Sequence, residues 1–352
     1  MREPAMSELV KDRVQTAAQV LGTSDPLPYV GKLIDASFPL EVGDNRYAEN
    51  HLLPGAAGFE PSFSETEPRA LRFTIEPLGP QSSPGSRRDE TTRVMRSLAG
   101  QVFGADALRW FDSRSEEWRG HNGVTQLHFG AWLGTAYDGD GLQASKVYYE
   151  LTPAQMESLP PTLAEIARIA AQTIPRLVPI FTTITCRRQA GAQRLTFFHR
   201  GSLRLAELAP LLEQLGLGHR LPSLMQIVGL ALGGRFELPE GTVLLGLGDA
   251  GDGPELKLEV MLGMLPDLPR SFLDLLALGL AERPRQLRAL GQWMQAFTPR
   301  DHDTPGDFSV MSVRVTRSTP ARVSLYLRPV EFELRRIVTS ERNRPMPQTV
   351  GV

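Results

Sequence analysis

Four cationic side chains, Arg72, Lys146, Arg194 and Lys257, fall in four separate strand-like segments of this 352-residue chain. Each lies on the polar side of an alternating pattern, and Tyr148, Tyr326, Trp132 and Phe198 occupy positions of the same kind. Gathered at one level of a water-poor cavity, such cations suit a pyrophosphate, and the aromatic faces suit a cationic or aromatic organic group. The lysines are informative because only four of the 38 basic residues are lysine: Lys11, Lys32, Lys146 and Lys257. The overall ratio reads as a bias toward arginine codons, but the last two stand inside predicted strands, where lysine is disfavoured.

The elements that must position these residues recur. Pairs of strand-like segments are read at 58–66 with 70–78, 125–134 with 144–152, 178–186 with 193–199, 241–248 with 255–262, and 307–316 with 321–328. Each shows alternation or β-branched and aromatic enrichment bounded by Gly, Pro or Asp, the marks of a hairpin. Between them, 89–103, 153–173, 203–231 and 266–297 carry apolar residues at helical spacing. The unit is strand, strand, helix, helix, repeated five times. A helix is also expected at 7–21, within an N-terminal extension of about 1–55, and 340–352 reads as a frayed tail. The polar, Gly-rich stretches 79–88, 111–124 and 134–143 read as rim loops.

Alternation divides the strands cleanly. Glu255, Lys257, Glu259 and Met261 oppose Leu256, Leu258, Val260 and Leu262; Lys146, Tyr148 and Glu150 oppose Val147, Tyr149 and Leu151. On 125–134, Gln126, His128, Gly130 and Trp132 oppose Leu127, Phe129, Ala131 and Leu133. Amphipathic helices need an apolar surface to cover, so the polar strand faces look away from them. Position alone leaves two readings: an open α+β sheet with a solvated face, or ten antiparallel strands closed around a lumen. The composition of the polar face favours closure, because a solvated face tends toward interchangeable Lys, Glu, Thr and Ser. The fold class is thus α+β, a ten-stranded antiparallel β-barrel of five ββαα repeats with helices outside, as one domain over 1–352.

Several function classes are disfavoured. A net charge of −2 and no basic tract with interleaved aromatics argue against nucleic acid. The start MREPAMSELV lacks signal-peptide regions, and no apolar run approaches a membrane span, so a soluble, cytoplasmic protein without a membrane partner is expected. Cys186 as sole cysteine leaves no intrachain disulfide and no thiolate metal cluster. Asp138, Asp140, Asp249 and Asp252 read as hairpin-loop residues, and no metal site is expected.

The sequence resembles the aromatic prenyltransferases of the indole, or dimethylallyltryptophan synthase, type over roughly 55–330. The carrying segments are Glu60-Pro-Ser-Phe-Ser, similar to the family's E-x-S; Arg72-Phe-Thr-Ile-Glu-Pro, similar to R-[FY]-x-x-E-P; Lys146-Val-Tyr148-Tyr, similar to K-V-Y-F; and Val-Ser-Leu-Tyr326-Leu-Arg-Pro. The resemblance implies a barrel of the prenyltransferase type and metal-independent transfer of a dimethylallyl (C5) group from dimethylallyl pyrophosphate. The acceptor it implies is tryptophan, a tryptophan-derived metabolite or a peptide, as in secondary metabolism. It makes Glu60 the hydrogen-bond acceptor for the indole N–H, Arg72, Lys146 and Tyr148 holders of the pyrophosphate, and Tyr326 a flank of the allylic group. Two departures stand out. Where many members read R-x-K-x-Y, this chain has Arg194, Thr196 and Phe198, and it presents Lys257 and Glu259 where a neutral residue and a tyrosine are more usual.

On this reading Arg72, Lys146, Arg194 and Lys257, with Tyr148 and Tyr326, neutralise the leaving pyrophosphate without magnesium or another cofactor. Trp132, Phe198 and the tyrosines shield the cation, and Glu60 orients the arene and takes the proton. His128 is a wall residue or an acceptor contact. Arg194 and Lys257 have a plainer alternative as partners of Glu150, Glu259 or Glu76. Two other functions stay open: a non-catalytic barrel for a small anionic or aromatic ligand, and the same enzyme type with a phenolic or tricyclic acceptor.

Overall fold

The computed structural model describes residues 4–119, 127–188, 191–249 and 253–334. Ten strands close into one antiparallel barrel in which, apart from the closing pair, each neighbour in space is the next barrel strand in sequence. They are β1 (Phe59–Ser64), β2 (Leu71–Ile75), β3 (Ala131–Asp138), β4 (Gly141–Glu150), β5 (Leu177–Arg187), β6 (Ala192–His199), β7 (Val243–Asp249), β8 (Pro254–Met261), β9 (Gly306–Thr316) and β10 (Arg322–Pro329). The ring is sealed between β1 and β10, with Ser62 opposite Tyr326 and Ser64 opposite Ser324.

The expected alternation decides which way the strands face. Along β10, Val323, Leu325 and Leu327 are buried outward beneath helices, while Arg322, Ser324, Tyr326 and Arg328 are only partly buried. Helices α1 (Met6–Leu21), α2 (Leu27–Ser37), α3 (Pro84–Leu98), α4 (Ala105–Arg119), α5 (Pro161–Thr173), α6 (Ala209–Gln214), α7 (Leu221–Ala231), α8 (Phe272–Gly279) and α9 (Pro284–Phe297) surround the strands. The layering follows from helix periodicity: α9 buries Ala289, Leu290, Trp293, Ala296 and Phe297, and Trp293 packs on Phe63 and Phe308 from outward strand positions. Start signals are local: Ser83 caps α3 by accepting from Ser86 N, and Pro84 fixes the first turn. The pair α1 and α2, which precedes β1, completes five helical layers around five hairpins.

The second hairpin differs from expectation. Its strands run 131–138 and 141–150, not 125–134 and 144–152. The glycines and aspartates read as a long rim loop form a tight turn instead: Asp138 pairs with Gly141, and Asp138 Oδ1 accepts from Asp140 N. Gly141 takes φ 113°, which a side chain would strain. Residues 127–130 therefore precede the strand, while Gln126 lies outside the described residues, as do Asp252 and the expected tail at 340–352. The stretch 111–124 is also not a loop throughout, since α4 runs to Arg119 and buries Phe111, Ser115 and Trp118 at helical spacing. No helix among the described residues is long and apolar enough to cross a membrane.

Candidate active site

Hairpin turns gather at one end of the barrel and helical crossovers at the other, so distance from the turn sorts the lumen into levels. Near the turns stand Arg72 on β2, Arg187 on β5, Arg194 on β6, Glu255 on β8 and Arg314 on β9, with Lys146 deeper on β4. Glu255 collects two of these cations: Arg194 Nε donates to its Oε1 at 2.7 Å, and Arg314 Nε lies 3.3 Å from its Oε2. Burial pushes the Glu255 carboxyl up, but Arg194 and then Arg314 outweigh that and leave it below the usual carboxylate range. Gly246 makes the span possible, because a Cβ there would come within 2.7 Å of Arg194 Cδ. Arg72 Nη1 donates to Glu67 Oε2 at 2.9 Å.

Lys146 makes no hydrogen bond or ion pair with the described residues. Burial, then Arg72 and Arg187, hold its ammonium well below the usual lysine range. An anion placed beside it would favour its charged form.

At middle height Lys257 Nζ donates to Tyr326 Oη at 2.6 Å and pairs with Glu259. Burial alone would lower the Lys257 pKa; Glu259 and then Tyr326 outweigh it and raise it. Thr196 faces Gly246, which in turn faces Lys257, so the missing side chain of Gly246 lets Thr196 and Lys257 border one space. Tyr148 reaches the same level, and burial lifts its hydroxyl to about 12. Gly134 leaves its ring room, since a Cβ there would stand 3.2 Å from it.

Toward the crossover end the lining turns aromatic and apolar. Trp132, Tyr148 and Phe181 form a triangle with ring centroids 5.8 to 6.4 Å apart. Phe129 stacks on Trp132 at 4.1 Å, and Trp132 Nε1 donates to Glu76. Phe198 stands apart, opposite Leu244, in line with Glu259. Glu60 is buried on β1, and its Oε1 accepts from Ser309 Oγ at 2.8 Å. Ser309 is the extra residue of a bulge in β9, which turns its hydroxyl toward Glu60. Burial drives the Glu60 carboxyl up to about 8, a rise that Glu259 reinforces and Ser309 and Lys257 oppose. The lumen therefore stores Glu60 largely protonated at neutral pH.

One sequence-predicted residue falls elsewhere. His128 does not stand on a strand beside Trp132; it lies in the segment before β3, where its backbone N–H, with those of Phe129 and Gly130, binds the Glu150 carboxylate. That role removes Glu150 as a partner for Arg194 or Lys257, which pair with Glu255 and Glu259. Sequence reasoning missed Arg187, Arg314, Phe181, Ser309, Glu67 and Phe129. Arg314 had a usable signal, since it alternates with Val313 and Val315; the structure sets it opposite Lys257. Ser309 had none, because a bulge shifts the parity.

No protein-family model matches the chain, and no curated protein is similar to it at a significant level. Solved structures do match. Prenyltransferase PriB in its apo form is 16% identical over 95% of this chain and 98% of its own, with a TM-score of 0.71. The 6-dimethylallyltryptophan synthase from Micromonospora olivasterospora, solved with DMASPP and Trp, is 16% identical over 94% and 99%, with a TM-score of 0.70. The 5-dimethylallyltryptophan synthase from Streptomyces coelicolor is 15% identical over 94% and 99%, with a TM-score of 0.67. These likenesses establish the fold: it is that of the barrel prenyltransferases.

Proposed function

We propose that the protein is an aromatic prenyltransferase that moves a dimethylallyl group from dimethylallyl pyrophosphate to an indole-containing acceptor. The observation that carries this reading is the division of one lumen into a cationic level and an aromatic level, with Lys257, Tyr326 and Tyr148 between them. The solved relatives support it through what their names say they make or bind, a dimethylallyltryptophan in two cases and DMASPP with Trp in one.

In the proposed reaction the allylic C–O bond breaks and its electron pair leaves with the diphosphate. Lys146, Arg72, Arg187 and Arg314 receive that charge, and Lys257 and Tyr326 donate to the bridging side. The aromatic triangle excludes water from the allyl cation and offers it ring faces. An arene carbon attacks, forming the new C–C bond, and the arene gives up a proton. In its ionised form Glu60, already accepting from Ser309, accepts from the acceptor's N–H and takes up the proton the arene releases. Its raised pKa suits this: a carboxylate whose acid has a pKa near 8 is basic enough to hold that proton and to pass it to solvent as the product leaves. Four or more lumen cations supply the neutralisation that a metal ion gives other prenyl transfers, so the donor is the only co-substrate proposed.

The test is incubation with dimethylallyl pyrophosphate and a panel of indole, phenol and tricyclic acceptors, with and without EDTA, read by mass. The expected result is one prenyl unit added to an indole acceptor in both conditions. Ligand binding without turnover on any acceptor would leave a binding barrel, and loss of turnover in EDTA would overturn metal independence.

A further inference from the structure

We propose that Glu67 is a tethered anion that engages the cations of the proposed diphosphate site and must be displaced when the donor binds. This rests on reading the cationic level as the diphosphate site. Glu67 lies in the β1–β2 hairpin turn, two residues from Glu65, and the two carboxylates are treated differently by the fold. Glu65 is 2% exposed and anchors the turn: it accepts from Val323 N at 2.6 Å and pairs with Arg283. The Glu67 side chain, in contrast, pairs among the described residues with Arg72 alone. That carboxylate accepts from Arg72 Nη1 and sits in the field of Lys146, Arg187 and Arg314. Burial raises its pKa, yet Arg72 and then those three cations outweigh burial and keep it below the ordinary carboxylate value, so it stays ionised.

The residues around Glu67 are therefore those proposed for the donor's diphosphate, and one carboxylate cannot match a diphosphate's charge against them. Glu67 also has somewhere to go. Besides the lumen it lines a cleft of about 1380 Å³ outside the barrel rim, between α1, the turns before Ala70 and Gly141, and α9, where Arg69, Arg285 and Arg288 offer new partners. Displacement exchanges one cationic environment for another, so the turn held by Glu65 need not unfold. A tethered competitor weakens donor binding and also helps the product diphosphate to leave, since the carboxylate returns as the product departs.

The experiment is isothermal titration of the full-length protein with inorganic pyrophosphate in EDTA, comparing wild type with Glu67→Gln and Glu67→Ala, alongside the melting temperature of each unliganded protein. The alanine variant guards against an amide that bonds Arg72 in the carboxylate's place. Affinity is expected to tighten roughly ten- to hundredfold, the size of one charge-assisted hydrogen bond no longer competed for, while the unliganded melting temperature stays equal or falls. A merely structural ion pair would lose stability and affinity together, and unchanged or weaker binding in both variants overturns the proposal while leaving the diphosphate site standing. Binding that needs magnesium and is lost in Glu67→Gln would make Glu67 a metal bridge, also against it. Failure of all three proteins to bind pyrophosphate would remove the diphosphate site and the proposal with it.

Discussion

Lys146 near the hairpin end of the lumen and Glu60 near the crossover end carry opposite formal charges, and burial treats them alike. It lowers the pKa of the lysine and raises that of the glutamate, in each case toward the neutral form. Their surroundings make the difference. Lys146 stands among Arg72, Arg187 and Arg194, which compound the effect of burial, whereas Glu60 has Ser309 and Lys257 opposing that effect and Glu259 reinforcing it. Burial thus pushes both groups toward the neutral form, and a ligand of opposite charge favours the charged form at each end: an anion beside Lys146, a developing cation beside Glu60. Residues between the ends do not share this property, because Lys257 already has Glu259 and Tyr326.

The largest effect should come from breaking the crossover end. Glu60→Gln keeps the shape and the Ser309 contact but cannot take up a proton, so turnover is expected to fall roughly 10²- to 10⁴-fold, the range of a positioned general base. Unaltered kcat/KM on the best acceptor would take Glu60 out of the mechanism. In the wild type the carboxyl must be ionised to act, so kcat/KM for the acceptor should rise with pH and level off above about 8. In Glu60→Gln that rise should vanish. The same group makes a stability statement: its folded pKa lies above its ordinary 4.5, so stability should decline as pH rises from about 4.5 through about 8. A melting temperature that climbs across this window, or is equally pH-dependent in the Gln variant, would contradict the burial argument.

The hairpin end is expected to break more selectively. Lys146→Ala removes a cation that makes no hydrogen bond or ion pair among the described residues, and donor binding should weaken by about 1.5 to 3 kcal/mol per lost charge-assisted contact. Because the wild-type ammonium is held below its usual range, diphosphate binding above neutrality should also draw in a proton. Calorimetry in buffers of differing ionisation enthalpy detects this, and no uptake would mean Lys146 is already charged.

How much of this was legible in sequence follows from parity. Where strands ran regularly, as at 255–262 and 321–328, alternation alone put Lys257, Glu259 and Tyr326 on the inner face, and the barrel, the five repeats and four of the cations could be read. Where regularity broke, reading failed. A tight Asp-Gly-Asp-Gly turn imitates a loop, which displaced the second hairpin and put His128 on a strand; a one-residue bulge hid Ser309. Contacts between strands distant in sequence, such as Arg194 with Glu255 across Gly246, have no one-dimensional signal at all. The roles of Glu60, Arg72 and Lys146 came from a family resemblance, since spacing by itself could not separate a ligand-binding cation from one paired with a neighbour.

The smallest expected effect concerns the middle level. If Lys257 stands in for a cation absent at Thr196, Lys257→Gln should weaken donor binding and Thr196→Lys should restore part of it, with a coupling of about 0.5 to 3 kcal/mol. The bond of Lys257 to Glu259 argues for the low end of that range, because part of its charge is already spent. Strict additivity would assign Lys257 to that pair alone.

The central claim, one lumen with separate stations for anion and arene, is tested most directly by crossed titration. Dimethylallyl thiolodiphosphate and the best aromatic acceptor would each be titrated into wild type, Lys146→Ala and Glu60→Gln. The lysine variant is expected to lose donor affinity and keep the acceptor, and the glutamate variant to do the reverse. Both ligands weakened equally by either substitution would contradict it.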